Sequence, residues 1–291
     1  MAVQAEIGKV RPNPFIKDGK VLVSKAAVSD DLKHDVLRAV DLIGGFGKVV
    51  EKGDEVWVKP NFNTGDPPPG SSDPDIVKAI IELLYDHGAA KVIVGESSMM
   101  RLATRKVFEE TGMLRKAEEA GAQVVFFDEG KWVEVTTGGK YFRKVSLPES
   151  ALKAKKLVYA CAMKTHRFAK LTLSLKIAVG FMKPSDRMAL HMRRLEEKIA
   201  DLNLVVHPDL IIMDGRKCFI SGGPACGDLR EPNLLLASGD RIALDVEAIK
   251  TMKDYEGNSL LENPWDFTQI RRSVDLRIGV RNEKEYEVVN S

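Results

Sequence analysis

Residues 55–97, EVWVKPNFNTGDPPPGSSDPDIVKAIIELLYDHGAAKVIVGES, contain two short apolar runs separated by a segment with helical end signals. The runs EVWV and KVIV are rich in valine and isoleucine, which is typical of buried strands. Between them, Ser72 or Asp73 can cap a helix, Pro74 suits its first turn and Gly88 ends it. A strand, a helix and a second strand in this order predict a parallel βαβ unit.

The alternation of strand and helix patterns continues on both sides of this unit. Hydrophobic periodicity predicts further strands at 20–27, 122–128, 156–163, 209–215 and 233–240, and a hairpin at 132–147. It predicts helices at about 29–42, 105–111, 114–120, 184–204 and 241–252. We therefore expect an α/β fold with mostly parallel sheets flanked by helices. The hairpin interrupts the rhythm, so we expect two lobes with a cleft between them, residues 1–150 and 151–291.

The composition restricts the class of function. The chain of 291 residues is 44% hydrophobic and 30% charged, and its net charge of +2 gives no electrostatic bias toward nucleic acid. No window contains the roughly 18 uninterrupted apolar residues of a transmembrane helix, and the N-terminus has no apolar signal segment. We expect a cytoplasmic protein without nucleic acid or a membrane as partner, and we leave a homodimer open.

Polar residues follow four of the predicted strands. In open parallel sheets, ligands bind in the crevice outside the carboxyl ends of the strands. The candidate segments are therefore KPNFN (59–63), GES (95–97), MKTH (163–166) and DGRK (214–217).

These segments have alternative interpretations. Lys59 and Asn61 are candidates to bind an anion, although a capped strand that leads into a rigid loop gives the same pattern. Glu96 or Ser97 is a candidate at the same edge, although a simple turn is the commoner explanation of GES. Asp214 has two cations beside it, so a substrate site and a salt-bridged rim are equal alternatives. The later pair Gly222-Gly223 suits close approach of the backbone to a ligand, or a plain turn.

Lys176 is the strongest candidate because it interrupts the apolar part of residues 163–182, MKTHRFAKLTLSLKIAVGFM. As a strand, this segment places Thr172, Ser174 and Lys176 on one face; as a helix, it places Thr172, Lys176 and Gly180 on one stripe. A buried ammonium group must pair, lose its proton or line a polar cavity. A desolvated lysine is also the usual lysine nucleophile. A lysine that reaches the surface along its aliphatic stem is the alternative.

Two of the chain's five histidines flank this lysine, His166 before it and His191 after it. Histidine is the natural general base near neutral pH and the commonest metal ligand. A cleft with several cations suits a small molecule that carries a carboxylate or phosphate group. The expected binding residues for substrate or cofactor are Lys59, Asn61, Ser97, Lys164, Lys176, Gly222 and Gly223.

The motifs together resemble a known family. In order over roughly residues 55–250, KPNFN, GAAKVIVGES, MKTHRFAKLTLSLKIAVG, MDGRKCFISGGPACG and LLLASGDRIALDVEAIK are similar to domain of unknown function 362 (DUF362). Many members of that family carry ferredoxin-like iron–sulfur motifs, which implies redox work for those members. This chain has three cysteines and no CxxC pair, so an iron–sulfur cluster is not expected. The family's usual asparagine after the central lysine is Ile177 here.

A second resemblance concerns the spacing of His166, Lys176, Gly180 and His191. This pattern is similar to the core motif of the nickel-pincer lactate racemase superfamily. The resemblance implies His166 as an acid/base, Lys176 as the covalent anchor of a nickel-pincer-type cofactor and His191 as a nickel ligand. The superfamily's Gly-x-His motif reads GES at 95–97, which argues against a two-base racemisation.

These observations favour an enzyme, an oxidoreductase or isomerase, that transfers a proton or hydride next to a carbonyl group of a small anionic substrate. In this hypothesis His166 is the general acid/base, Lys176 is an anion clamp or covalent anchor, and Asp214 orients a partner. The alternatives are a non-catalytic protein that carries a metal or an anionic cofactor, and a nickel-pincer-dependent racemase or epimerase. The sequence names no cofactor and assigns no role to the residues after 263.

Overall fold

The computed structural model describes residues 5–291, in which strands alternate with helices over most of the chain. The strands are β1 (Ile16–Lys17), β2 (Lys20–Ala27), β3 (Glu55–Pro60), β4 (Lys91–Glu96), β5 (Gln123–Phe126), β6 (Trp132–Thr136), β7 (Lys144–Pro148), β8 (Lys156–His166), β9 (Lys170–Thr172), β10 (Leu210–Gly222), β11 (Gly227–Arg230), β12 (Leu234–Ser238) and β13 (Tyr286–Asn290). The α-helices are α1 (Leu32–Asp41), α2 (Pro74–Asp86), α3 (Thr104–Glu110), α4 (Met113–Glu119), α5 (Ser174–Ile177), α6 (Asp186–Met192), α7 (Leu195–Leu202), α8 (Arg241–Lys253) and α9 (Thr268–Asp275). Within this described range, no helix has both the length and the apolar character needed to cross a membrane.

One large sheet organises the fold. Its strand order is β1-β2-β12-β10-β8-β3-β4-β5, with β11 beside β10, β13 beside β2 and β9 beside β8. The central strands β10, β8, β3, β4 and β5 run parallel, whereas β12 pairs antiparallel with β10 and with β2. β6 and β7 form a separate antiparallel hairpin. The predicted α/β class, with a mostly parallel sheet flanked by helices, is confirmed.

The sheet continues across the predicted boundary at residue 150. β3 pairs with β8, with Pro60 beside Ala160, so strands from both halves of the chain share one hydrogen-bonded sheet. Two lobes with a cleft between them are therefore not confirmed, and the division into residues 1–150 and 151–291 stays a prediction. The candidate site lies at one edge of this continuous sheet.

Helices cover both faces of the sheet and create two cores. On β8, Val158 and Ala160 belong to one core, whereas Tyr159 and Cys161 belong to the other, because successive side chains of a strand point to opposite faces. Helices α1 to α4 supply the first core, and helices α5 to α9 supply the second. Burial on both faces explains why the parallel strands read as continuous apolar runs.

Two local predictions need correction. The segment around Lys176 is neither one strand nor one helix, because β9 ends at Thr172 and α5 begins at Ser174. The single helix predicted at about 184–204 is wrong, because α6 and α7 are separate and Arg194 between them has a left-handed backbone with φ 57°. No glycine or proline marks this break, so hydrophobic periodicity alone joins the two helices.

The residues after 263 return to the sheet. Helix α9 packs against α7 and α8. β13 then pairs parallel with β2, from Tyr286 beside Val21 to Asn290 beside Lys25. The C-terminal segment therefore adds a strand to the sheet on the side away from β5.

Candidate functional site

A pocket opens at the carboxyl edge of β3, β4 and β8, where the candidate segments were expected to meet. Its cavity volume is about 70 Å³. Because Lys59, Lys164 and Lys176 all line it, we call this cavity the lysine pocket. Its other lining residues are Pro60, Asn61, Asn63, Thr64, Gly70, Glu96, Thr172, Ile177, Val179, Gly180, Pro224 and Ala225.

Lys59 is buried in the wall of the pocket and forms an ion pair. Its Nζ donates to Glu96 Oε1 at 2.6 Å and to the carbonyl oxygen of Pro60 at 2.7 Å. The other carboxylate oxygen of Glu96 accepts the backbone N–H of Phe62 at 2.8 Å. Burial lowers the pKa of Lys59 by desolvating its ammonium group, and the Glu96 carboxylate opposes this shift. The segment GES offered Glu96 or Ser97 as a site residue, and Glu96 is the one that lines the pocket.

Gly180 leaves space for this ion pair. A Cβ atom at position 180 would lie 2.7 Å from Lys59 Cε and 2.9 Å from Glu96 Oε1. Both distances are too short for a real Cβ contact, so any side chain would push the pair apart. Position 180 therefore needs a glycine, because the ion pair lies close to the backbone there.

Lys164 is buried on β8, and its Nζ donates to the carbonyl oxygen of Gly70. This hydrogen bond ties β8 to the proline-rich loop that follows β3. Burial lowers the pKa of Lys164 to about 7, and repulsion by Lys176 adds to the shift. An amine with this pKa exchanges its proton near neutral pH.

Lys176 lies on the short helix α5, and its partly buried side chain lines the same pocket. Its ammonium group forms no hydrogen bond or ion pair with any of residues 5–291. Burial lowers the pKa of Lys176 to about 8, and repulsion by Arg187 contributes to the shift. Lys176 is therefore an amine that faces the cavity without a partner from the described part of the chain.

Two residues that sequence reasoning missed hold helix α5 in place. Asp245 on α8 accepts the backbone N–H groups of Ser174 at 2.8 Å and Leu175 at 3.1 Å. Asn203 donates from Nδ2 to the carbonyl oxygen of Leu175 at 2.8 Å. Burial raises the pKa of Asp245 to about 7, and its hydrogen bonds oppose the shift. Together, Asp245 and Asn203 fix the position of Lys176. The sequence signal that could have identified Asp245 was a carboxylate inside the apolar run RIALDVEAI.

Arg187 on α6 is a further residue that sequence reasoning missed. It is buried, and its guanidinium group donates to Asn63 Oδ1 at 3.2 Å, to the Ser98 carbonyl at 3.0 Å and to the Ser97 carbonyl at 2.7 Å. These acceptors are neutral, and the nearby carboxylates of Glu96 and Asp128 offset part of the positive charge of Arg187. Burial lowers its pKa to about 10. Ser97, predicted as a ligand-binding residue, does not line the pocket and instead anchors this arginine.

His166 ends β8, and the backbone fixes its ring. Its Nδ1 accepts the N–H groups of Phe168 and Ala169, both at 3.1 Å, so the ring proton lies on Nε2. Burial lowers the pKa of His166 to about 2, and repulsion by Lys176 and His191 adds to the shift. The neutral imidazole can donate a hydrogen bond through Nε2–H. This geometry does not favour the general-base role expected for His166, which lies outside the pocket lining.

His191 lies on α6, exposed, with its Nδ1 at 2.6 Å from the carbonyl oxygen of Arg187. A donating Nδ1 leaves Nε2 as its one nitrogen able to bind a metal. Across residues 5–291, no group of three or more His, Cys, Asp or Glu side chains is arranged to hold a metal ion. The nickel-ligand role that the resemblance implies for His191 would fall to its Nε2, and a nickel-pincer-type cofactor stays a prediction.

Gly222 and Gly223 form a turn beside the pocket without lining it. Gly223 has a left-handed backbone with φ 60°, and a Cβ atom there would lie 2.7 Å from the backbone carbon of Thr165. A glycine is therefore needed for the turn to pack against β8. The turn positions Pro224 and Ala225, which do line the pocket.

Asp214 lies in a different cavity, on the face of the sheet that α2 covers. Its carboxylate accepts two hydrogen bonds from the Arg216 side chain, at 3.0 and 2.8 Å, and one from the Arg216 backbone N–H at 3.0 Å. The Arg216 guanidinium also pairs with Asp73 at 2.7 Å. Asp73 caps the N-terminus of α2. The structure therefore does not bring Asp214 together with Lys176, and its geometry matches a salt-bridged rim.

The lysine pocket carries an excess of positive charge and of hydrogen-bond donors. Its three lysines face one carboxylate, Glu96, and Arg187 adds a further buried cation nearby. Asn61 lines the pocket, and Thr172 Oγ1 is buried there without a hydrogen-bond partner in the described range. Such an arrangement suits carboxylate or phosphate oxygens.

Comparison with known proteins identifies relatives of the chain. The family model described as domain of unknown function (DUF362) matches residues 56–250. A thylakoid-associated protein of Synechocystis sp. is 29% identical over 239 residues, which cover 79% of this chain and 73% of that protein. The region matched by the family model contains every lining residue of the lysine pocket.

Proposed function

The chain belongs to the DUF362 family, and we propose that in this protein the lysine pocket binds a small carboxylate- or phosphate-bearing substrate and moves a proton next to its carbonyl group. The observation that carries this proposal is the charge of the pocket, in which three lysines face a single carboxylate. A site with this charge binds an anion more readily than a neutral or cationic molecule. Its volume suits a small molecule, or the anionic end of a larger one.

Lys164 is the group best suited to move the proton. Its pKa of about 7 makes both the amine and the ammonium form available near neutral pH. Its hydrogen bond to Gly70 holds the amine in the pocket wall. Lys59 supplies positive charge, and its ion pair with Glu96 keeps it in place. Lys176 contacts the substrate as the anion clamp or covalent anchor.

Hydrogen–deuterium exchange tests the proton transfer directly. Pyruvate in deuterated water should lose its methyl protons faster with the full chain than without it, as followed by proton NMR. Lys164→Met should abolish this acceleration, whereas Lys155→Met, at an exposed lysine outside the pocket, should retain it. Equal exchange by a folded Lys164→Met variant would exclude Lys164 as the acid/base.

A protein that carries an anion without reacting is the alternative function. Isothermal titration of the full chain with pyruvate, oxalate and phosphate separates the two functions. Binding together with exchange supports the enzyme, and binding without exchange of any bound carbonyl compound supports the carrier. If none of the three anions binds, the anion-binding proposal itself fails.

A second candidate function is attachment to the surface of an anionic membrane. The Synechocystis relative is named as thylakoid-associated, and large apolar side chains are exposed on segments beside the pocket. Phe168 is 70% exposed, Met188 61% and Met192 79%. The exposed basic residues Arg167 and Arg193 lie next to them in the chain. Apolar side chains combined with cations suit the interface of an anionic bilayer.

Co-sedimentation with lipid vesicles tests this second function. The full chain should sediment with vesicles that contain phosphatidylglycerol and remain in solution with vesicles of phosphatidylcholine alone. The triple variant Phe168→Ser, Met188→Ser, Met192→Ser should lose this binding while keeping its circular dichroism spectrum. Unchanged sedimentation of that variant would exclude this surface. The expected cytoplasmic location stays a prediction.

A further inference from the structure

The three lysines of the pocket differ in how their Nζ atoms are held. Lys59 donates to a carboxylate at 2.6 Å and to a carbonyl oxygen at 2.7 Å. Lys164 donates to the carbonyl oxygen of Gly70. Lys176 has no hydrogen-bond or ion-pair partner in residues 5–291, although it lines the same cavity. Lys176 can therefore lose its proton without breaking a hydrogen bond or ion pair to residues 5–291.

The surroundings of Lys176 favour the neutral amine and hold it in place. Ile177 and Val179 add apolar lining next to it, and Lys164 and Arg187 repel a positive charge at its Nζ. A lysine that is desolvated and lies next to another cation is the common form of an activated lysine nucleophile. Helix α5, which carries Lys176, is anchored at its first turn by Asp245. The amine of Lys176 therefore has a defined position before it reacts.

We propose that Lys176 forms an imine with the carbonyl carbon of a small 2-oxo acid, whose carboxylate is bound by the other cations of the pocket. This inference rests on the proposed function and names its substrate class. A protonated imine makes the neighbouring carbon–hydrogen bond more acidic than the parent ketone does. Covalent attachment therefore serves the proton transfer assigned to this pocket.

The step balances with the groups that the lysine pocket supplies. The neutral Nζ of Lys176 attacks the carbonyl carbon and forms the C–N bond, and one amine proton moves to the former carbonyl oxygen. The ammonium form of Lys164 then gives a second proton to this hydroxyl group, which leaves as water. A protonated C=N bond remains. Lys164 is now a neutral amine and can take a proton from the adjacent carbon.

Reductive trapping tests the imine. The full chain is incubated with pyruvate, glyoxylate or 2-oxoglutarate and sodium cyanoborohydride, followed by intact mass spectrometry and peptide mapping. The expected product carries one oxo acid less one oxygen atom in net composition, because imine formation removes water and reduction adds two hydrogens. The adduct should lie on the peptide that contains Lys176. Lys176→Arg, which keeps the charge but removes the nucleophile, should lose the adduct. Lys155→Arg, at the exposed control position, should keep it.

Binding measured in parallel separates this inference from the proposed function. Isothermal titration with the same oxo acids and with oxalate is done on the wild type, Lys176→Arg and Lys176→Gln, with circular dichroism to show that each variant is folded. If an oxo acid binds but no adduct forms at Lys176, the imine is excluded and anion binding stands. The same conclusion holds if oxalate binds and no oxo acid does. If no anion binds, both proposals fail.

Discussion

The Nζ atom of Lys59 lies 2.6 Å from Glu96 Oε1, and the two side chains are each only 2% exposed. The two residues are 37 positions apart in the chain, and they join the ends of the neighbouring strands β3 and β4. Removing one partner of such a buried pair leaves an uncompensated charge away from water. The pair therefore forms part of the wall of the lysine pocket, and the stability of the folded protein depends on both partners.

Lys59→Met should lower the free energy of unfolding by about 3 kcal/mol or more, because Glu96 would remain buried and charged. The double variant Lys59→Met, Glu96→Gln removes both charges, so its loss should be smaller than that of Lys59→Met alone. Urea unfolding of the three proteins measures this difference. A double variant that is less stable than the single one would contradict the assignment of the pair.

Gly180→Ala should destabilise the protein by about 1–3 kcal/mol, because its new Cβ atom overlaps the ion pair. It should also weaken oxalate binding, since Lys59 is displaced. Gly47→Ala is the matched control, because nothing lies within 4 Å of a Cβ atom at that position. Thermal unfolding and titration of both variants check this expectation. Equal effects at the two positions would show that Gly180 is not needed for close packing.

Asp245→Asn should change the pH dependence of stability. Burial raises the pKa of Asp245 to about 7 in the folded protein, above an unfolded value of about 3.9. The folded state then binds the proton more tightly, so the contribution of this group to stability is full below about pH 4 and is lost as pH rises through about 7. Relative to the variant, the wild type should lose unfolding free energy over this range. Urea unfolding at several pH values measures this difference, and parallel curves would argue against a raised pKa.

The affinity for oxalate should fall as the pH rises from about 6 to about 9. Lysine is charged below its pKa, and the values for Lys164 and Lys176 are about 7 and about 8. Both amines therefore lose their protons within this range, while oxalate keeps its charge. Lys176→Gln should bind about tenfold more weakly or worse at low pH, as expected for a lost charged contact. Its affinity should also depend less on pH. Isothermal titration checks both statements, and a pH-independent wild type would exclude these lysines from anion binding.

Local pattern predicted most of the strands and helices and the edge of the sheet at which the pocket lies. Lys59, Asn61 and Lys164 come together there because they follow or end parallel strands that are neighbours in the sheet. The rule that residues at the carboxyl ends of parallel strands meet also brings Asp214 to this edge of the sheet. It does not bring Asp214 to the face of the sheet that carries the lysine pocket. A shift of one residue along a strand reverses the side on which a side chain lies.

The contacts that decide the chemistry of each site residue were not predictable from local sequence. Asp245 reaches Ser174 across 71 positions of the chain, and no local pattern connects them. His166 resembled a general base, but the N–H groups of Phe168 and Ala169 occupy its Nδ1. The break between α6 and α7 was hidden because Arg194 adopts its left-handed backbone without a glycine or proline to mark it.

The sequence by itself determined the α/β fold, the edge that carries the pocket and the presence of lysines there, because these depend on periodicity and on the order of strands. Only the tertiary structure decided that Lys59 is paired, that Lys164 is held by Gly70 and that Lys176 faces the cavity alone. The reason is physical. The pKa and the reactivity of an amine depend on burial and on partners that packing brings from distant parts of the chain.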